Sequence, residues 1–190
     1  MDENTNPWKI TSEEKKYENS WIVLTEFQVI NPNGGAGIYG KVHFRKIAVG
    51  ALPLDNDWNV YLVGQYRFVL DKYSWEIPEG GLEAGEEPLA GMKRELVEET
   101  GLTADTWQKI LVMHLSNSVS DELAIIFLAT DLHQDAAQPE ETEEIKVKRI
   151  PFDEALDMVE HGAITDSMSV AAILKVKLMM ISGAIQKIQM

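Results

Sequence analysis

The spacing of apolar residues changes along this chain, and the changes mark out its elements. Trp21 to Ile30 (WIVLTEFQVI) is dense in β-branched and aromatic residues and predicts a strand. Asn31-Pro32-Asn33-Gly34-Gly35 is a turn cluster, and Tyr39 to Phe44 predicts the returning strand of a small antiparallel piece ending near Arg45. Lys46 to Leu54 and Val60 to Leu70 predict two more strands around the turn at Asp55-Asn56-Asp57. Trp75-Glu76-Ile77-Pro78 is extended, because the residue before a proline is biased away from the helix, and Gly80 to Gly85 is a glycine-bearing loop. Pro88 to Thr100 predicts a helix. Pro88 suits its first turn, Glu86 and Glu87 favour its N-terminal dipole, and Gly101 is a natural stop. Trp107 to Leu115 and Leu123 to Leu132 predict strands, and Phe152 to Glu160 and Ser169 to Ile181 predict helices. Strands on either side of a central helix, then two terminal helices, imply a mixed α/β layered domain. The regular alternation of a doubly wound or barrel fold is missing.

Composition narrows the class. The 190 residues carry 17 Lys+Arg against 31 Asp+Glu, a formal charge of -14, with 45% hydrophobic residues and no Cys. The length suits one compact domain with a small extension, and the apolar fraction argues against wholesale disorder. The absence of Cys removes disulfides, thiol catalysis and Cys-ligated zinc. The acidic balance argues against nucleic acid as a partner, because phosphate contacts need a basic face. The polar start Met1-Asp2-Glu3-Asn4 shows no secretory signal. The most apolar stretch, Met168 to Met180, is interrupted by Lys175 and Lys177 and is too short for a bilayer. The expectation is a soluble cytoplasmic protein with no membrane partner.

The charge has one informative concentration. Glu95, Glu98 and Glu99 lie at i, i+3 and i+4 of the predicted helix, within roughly a 100° arc at 3.6 residues per turn. Three carboxylates on one face repel one another. A hard divalent cation relieves that repulsion, and Mg²⁺ takes carboxylate oxygens while keeping waters for substrate phosphates. Upstream the string reads Gly80-x5-Glu86-x7-Arg94-Glu95-Leu96-x-Glu98-Glu99-x-Gly101-Leu102. It resembles the Nudix box at every specified position, a match expected by chance on the order of one in a billion per start position. Tyr17-Glu18-Asn19-x-Trp21, Pro32-x-Gly34, Gln65-Tyr66-Arg67, Trp75-Glu76-Ile77-Pro78-x-Gly80 and Ser120-Asp121-Glu122 look like the ADP-ribose pyrophosphatase branch, so the likeness runs from about Tyr17 to Leu174.

The resemblance implies a Nudix α/β/α sandwich with a mixed sheet over residues 46–190. Ahead of it comes an N-terminal antiparallel β extension, residues 1–45, for dimerisation and base binding. It implies Glu95, Glu98 and Glu99 as metal ligands, joined by a backbone carbonyl near Glu79 or Gly80, with Mg²⁺ as the ion and Mn²⁺ as the alternative. Arg94 and Glu86 would orient helix and loop, and Gly101 would be structural. Pyrophosphate cleavage puts water onto one phosphorus and expels the other phosphate. Divalent ions serve it by neutralising the non-bridging oxygens and lowering the water's pKa. In this branch the general base lies outside the box. The matching segment is Glu141-Thr142-Glu143-Glu144-Ile145, where Glu141 resembles the base and Glu143 an extra metal ligand, with the choice among Glu140, Glu141, Glu143 and Glu144 open.

Trp21 and Tyr39 match positions near which related dimers sandwich adenine, and a purine suits an aromatic plane. Arg67 resembles an arginine that contacts the diphosphate, and Glu76, from the Trp75 to Gly80 string, is counted with the substrate-binding residues. The extension is too small to be stable alone, so a two-fold homodimer that covers it is expected. The partner is then a small nucleoside diphosphate sugar. Asn117 stands where many ADP-ribose hydrolases carry proline, and Asp166-Ser167-Met168 lacks the lysine of an Asp-x-Lys sugar-nucleotide pattern. ADP-ribose, ADP-sugars and GDP-sugars such as GDP-mannose stay open, with ADP-ribose favoured. A dinucleoside polyphosphate hydrolase and a non-catalytic ligand sensor are the competing readings. The first is disfavoured by the absence of a basic patch, the second by the presence of every box carboxylate.

Overall fold

A computed structural model describes residues 5–134 and 145–185. The chain forms two compact units: Met1–Ile47 with His114–Leu123, and Ala48–Met113 with Ala124–Met190. The first unit thus takes in a stretch that a linear division at Arg45 leaves with the second. Among the described residues, no helix is long and apolar enough to cross a membrane.

The first unit is an antiparallel meander of β1 (Lys9–Glu18), β2 (Ile22–Ile30) and β3 (Ala36–Phe44). The β2–β3 turn is closed by Asn31, whose side-chain oxygen accepts from Asn33 N and Gly35 N, with Gly34 at φ 85°. Gly supplies that left-handed conformation without a Cβ clash. Residues 117–121, from the second stretch of this unit, run along β3. Val42 N donates to Val119 O, Asp121 N donates to Val42 O, and Tyr39 Oη donates to Ser118 O. Asp121 anchors this piece by accepting from Lys41, His43 and Phe44 N. Burial works against its charge, but the Lys41 and His43 bonds hold its carboxyl well below the usual range.

The second unit holds the core. One sheet runs β10 (Lys146–Pro151), β5 (Asn59–Arg67), β6 (Lys72–Glu76), and the other runs β7 (Glu79–Gly81), β4 (Ala48–Pro53), β9 (Leu123–Gln134), β8 (Leu102–His114). β4 pairs antiparallel with β7 and parallel with β9, so the larger sheet is mixed. Val49 and Ala51 of β4 and Ile125, Phe127 and Ala129 of β9 form one cluster with Met92 and Leu96 of α1 (Pro88–Thr100). Successive strand residues face opposite ways, so Gly50 turns to the other side. There a Cβ would stand 2.8 Å from Met168 of α3 (Ser167–Ile181). Helices therefore lie on both faces of this sheet, an α/β/α layering. The remaining helix, α2 (Phe152–Glu160), packs on β5, β10 and α3.

Several expectations shift. Lys9–Glu18 is a strand, although six of its ten residues are charged and all ten are exposed, so no alternation signals it. Lys146–Pro151 is a strand for which no expectation was drawn, as it follows directly on the acidic stretch. Glu79–Gly81 pairs with β4 instead of looping. The strand expected to reach Leu70 stops at Arg67, where a 3₁₀ turn and Asp71 at φ 51° reverse the chain. Helix α3 begins at Ser167, because Asp166 caps it by accepting from Ser169 N at 2.7 Å.

Candidate active site

The box residues converge where α1 crosses β7. α1 starts on Pro88 and ends on Thr100, capped by Gly101, whose φ of 69° lets its N–H close onto Val97 O at 2.9 Å. Leu96 and Met92 are buried in the core, and Glu95, Glu98 and Glu99 follow along the flank of the same helix, with Glu99 itself buried. Arg94 organises them. Its Nε and Nη2 fork onto Glu86 at 3.2 and 3.0 Å, its Nη1 reaches Glu98 at 2.8 Å and Glu95 at 2.9 Å, and its Nη2 approaches Gly81 O at 3.4 Å. These bonds, Glu86 first, raise its guanidinium still further above its ordinary range. Glu86 also accepts from Glu83 N, tying the loop to the helix.

Gly80 lies against Glu95. A Cβ there would stand 2.2 Å from the Glu95 carboxyl carbon, so any side chain would displace the carboxylate. Glu99 is 7% exposed, and its Oε2 accepts from Glu79 N at 2.9 Å. Glu95, Glu98 and Glu99 thus share one short region with the β7 backbone, and Arg94 balances part of the charge of Glu95 and Glu98. An all-oxygen set of carboxylates and main-chain carbonyl fits a hard divalent ion such as Mg²⁺.

Next to it is a second acidic group that the sequence reading passed over. Glu76, Glu79 and Asp166 present carboxylate oxygens within 4.8 Å of one another. Arg67 Nε donates to both Glu76 oxygens at 3.0 and 2.9 Å, and Nη2 reaches Glu76 and Glu79. Burial opposes the Arg67 charge, but the bonds to Glu76 and the charge of Glu79 more than offset it. Glu79 is the strained member. Burial first, then Asp166 and Glu76, push its carboxyl well above the usual range, with Arg67 offsetting part. Its Oε2 has no hydrogen-bond partner among the described residues. Glu79 occupies an unspecified position of the Trp75 to Gly80 pattern, and Asp166 is ninety residues from Glu76, so neither signalled a cluster. A cap-forming Asp before an apolar helix was the available clue.

The structure does not bring every expected residue together. Arg67 and Glu76 meet, but the Arg67 fork is engaged by carboxylates. Trp21, 66% exposed, lies at the end of β2, whereas Tyr39 pairs with Phe27. Six residues of strand separate the two positions, roughly 20 Å, so within one chain they form no stacking pair. Tyr39 instead meets Trp8 edge-on at 5.4 Å in a cleft of about 470 Å³, lined also by Phe27, Val29, Lys41 and Ser118. Glu141 and Glu143 lie outside the described residues.

Comparison with known proteins accords with this geometry. The family model described as NUDIX domain matches residues 44–167. An ADP-ribose pyrophosphatase of Mycobacterium tuberculosis is 35% identical over 170 residues, covering 87% of this chain and 81% of the relative. One of Bacillus subtilis is 32% identical over 167 residues, covering 87% and 90%. A crystal structure described as an ADP compounds hydrolase superposes with a TM-score of 0.85 at 20% identity, over 95% of this chain and 98% of that one, a likeness of fold. The chain belongs to the Nudix family.

Proposed function

We propose that this protein is a divalent-cation-dependent pyrophosphatase. It hydrolyses ADP-ribose, or a closely related nucleoside diphosphate sugar, to a nucleoside monophosphate and a sugar phosphate. One observation carries the proposal: Glu95, Glu98 and Glu99 stand together on α1 against a strand whose Gly80 leaves room for the Glu95 carboxylate. The ADP-ribose pyrophosphatases similar over most of the chain support the substrate class. In this reading Glu95, Glu98, Glu99 and the Gly80 region hold Mg²⁺, with Mn²⁺ as a substitute. The ion, when bound, neutralises the diphosphate oxygens and lowers the pKa of a water. Arg94 and Glu86 keep the helix and the Glu83–Glu86 loop in register, so the carboxylates need not reorganise when substrate arrives. Arg67, held by Glu76 and Glu79, is the guanidinium assigned to the diphosphate, and Trp21 and Tyr39 are the aromatic candidates for the base. Glu141 as general base and Glu143 as an additional ligand rest on the sequence pattern alone.

A homodimer is part of the proposal. The β1–β2–β3 sheet and its flanks expose Trp8, Ile10, Tyr17, Trp21 and Ile38, an apolar surface suited to a partner subunit. Sedimentation at micromolar concentration is expected to give twice the chain mass, and a fully active monomer overturns this part. The function is tested by presenting ADP-ribose, ADP-glucose, GDP-mannose and a diadenosine polyphosphate with Mg²⁺, and following phosphate released by an added phosphatase. ADP-ribose is expected to give the highest kcat/KM. Tight ADP-ribose binding without turnover of any member identifies a sensor instead.

A further inference from the structure

Between Glu76 and Glu79 the chain leaves one sheet and enters the other. Residues in such a crossing lack a ladder partner for their backbone, and a buried N–H left unpaired costs about as much as a lost hydrogen bond. Pro78 has no N–H, and its carbonyl accepts from Ala51 N at 2.9 Å. That leaves two amides. Glu79 N goes to the Glu99 carboxylate, inside the box. Ile77 N goes to Ser169 Oγ at 2.9 Å, ninety-two residues away on α3. Ser169 is fully buried, and its hydroxyl donates onward to Asp166 Oδ2 at 2.8 Å, the same oxygen that caps α3. The orientation of this relay is thereby fixed: the carboxylate only accepts, so the hydroxyl proton points to Asp166 and its lone pair to Ile77 N–H. Met168, next to Ser169, packs over Gly50, the residue paired with Glu79.

We propose that Ser169 and Asp166 are positioning residues for the candidate metal centre. Through Ile77 they hold the Ile77–Gly80 backbone at the depth where its carbonyl joins the α1 carboxylates. α3 does for Ile77 what Glu99 does for Glu79, and the strand entering the site is pinned from both helical layers. The inference rests on the metal-centre reading above and assigns to it two residues outside the box.

The test is calorimetric titration of Mn²⁺ into the metal-stripped full-length protein, with no substrate present. Ser169→Ala and Asp166→Ala are each expected to weaken Mn²⁺ binding roughly 10-fold or more, as losses behind a first ligand layer do. They should raise the Mg²⁺ concentration for half-maximal turnover in parallel, leaving KM for ADP-ribose nearly unchanged. Asp166→Asn keeps a side-chain oxygen that caps the helix and accepts from Ser169, so it is expected to retain wild-type Mn²⁺ affinity. Melting temperature in the absence of metal separates positioning from support. A purely structural role lowers it in Ser169→Ala without moving the Mn²⁺ affinity of the folded protein, and that result overturns the proposal. Asp166→Asn binding as weakly as Asp166→Ala overturns the relay in favour of a charge effect. Glu95→Gln runs alongside. If it too leaves Mn²⁺ binding intact, the metal centre itself is misplaced. If it abolishes binding while Ser169→Ala does not change it, only the positioning inference fails.

Discussion

The two sheet systems of this protein are stabilised in opposite ways. β4 is buried from Val49 to its end, and β9 is buried in an unbroken run from Ala124 through Ala129. In β1, β2 and β3 only Val29 is buried, and the strands are held by their ladders, by the Asn31 turn and by Asp121. Burial contributes roughly 25 cal/mol per Å², whereas an exposed ladder adds little beyond exchanging water for protein partners. The box carboxylates stand on the buried system. Their positions are fixed by Leu96 and Met92 beneath them, and a metal-binding constellation requires that rigidity. The exposed aromatics stand on the other system, a surface suited to contact with ligand or partner.

The contrast can be broken by substitution. The largest effect is expected at the carboxylates. Glu95→Gln and Glu99→Gln should each lower kcat about 100-fold or more at saturating Mg²⁺ while circular dichroism stays native. Gly80→Ala should approach the same loss, because its methyl group meets the Glu95 carboxylate. Packing comes next. Leu96→Ala should cost about 2–5 kcal/mol in urea denaturation at any protein concentration, whereas Ile10→Ala should cost about 0.5 kcal/mol or less in the dissociated chain. A larger Ile10 loss that appears only at concentrations where the protein is dimeric is the expected mark of a partner subunit covering the first sheet.

Smaller effects test the polar anchor. The Asp121 carboxyl is held below its unfolded value, so its stabilising contribution is present above about pH 4 and disappears as pH falls through the folded value. Wild type should therefore exceed Asp121→Asn by no more than about 1 kcal/mol at pH 7, and the difference should close in strong acid. The smallest change is expected for Tyr39→Phe, which loses one bond to Ser118 O and keeps the ring. Its stability should fall by about 1 kcal/mol or less, with KM for ADP-ribose unaltered.

The same contrast explains what the sequence made legible. β4 and β9 announce themselves as apolar runs, α1 has the bounds its end signals predict, Pro88 to Thr100, and α2 spans the expected Phe152 to Glu160. The box motif was readable because its spacing encodes a helix face, so geometry is implicit in the letters. β1 was silent because its charged residues fit any solvated segment. Arg67 was readable as a cation but not as one held by two carboxylates, since Glu79 looked like an unspecified position. The Ser169 to Ile77 contact joins residues ninety-two apart through a backbone amide, and nothing in local pattern marks such a bond.

The central claim is that the acidic face of α1 is a divalent-cation centre for cleaving a nucleoside diphosphate sugar. The most direct test is a Mg²⁺ titration of the EDTA-stripped enzyme with ADP-ribose, wild type beside Glu95→Gln, following AMP release. The account predicts a saturable rise from baseline for wild type and a flat response for Glu95→Gln. Full AMP release by the stripped wild type, or a Glu95→Gln curve that overlays it, would contradict the claim.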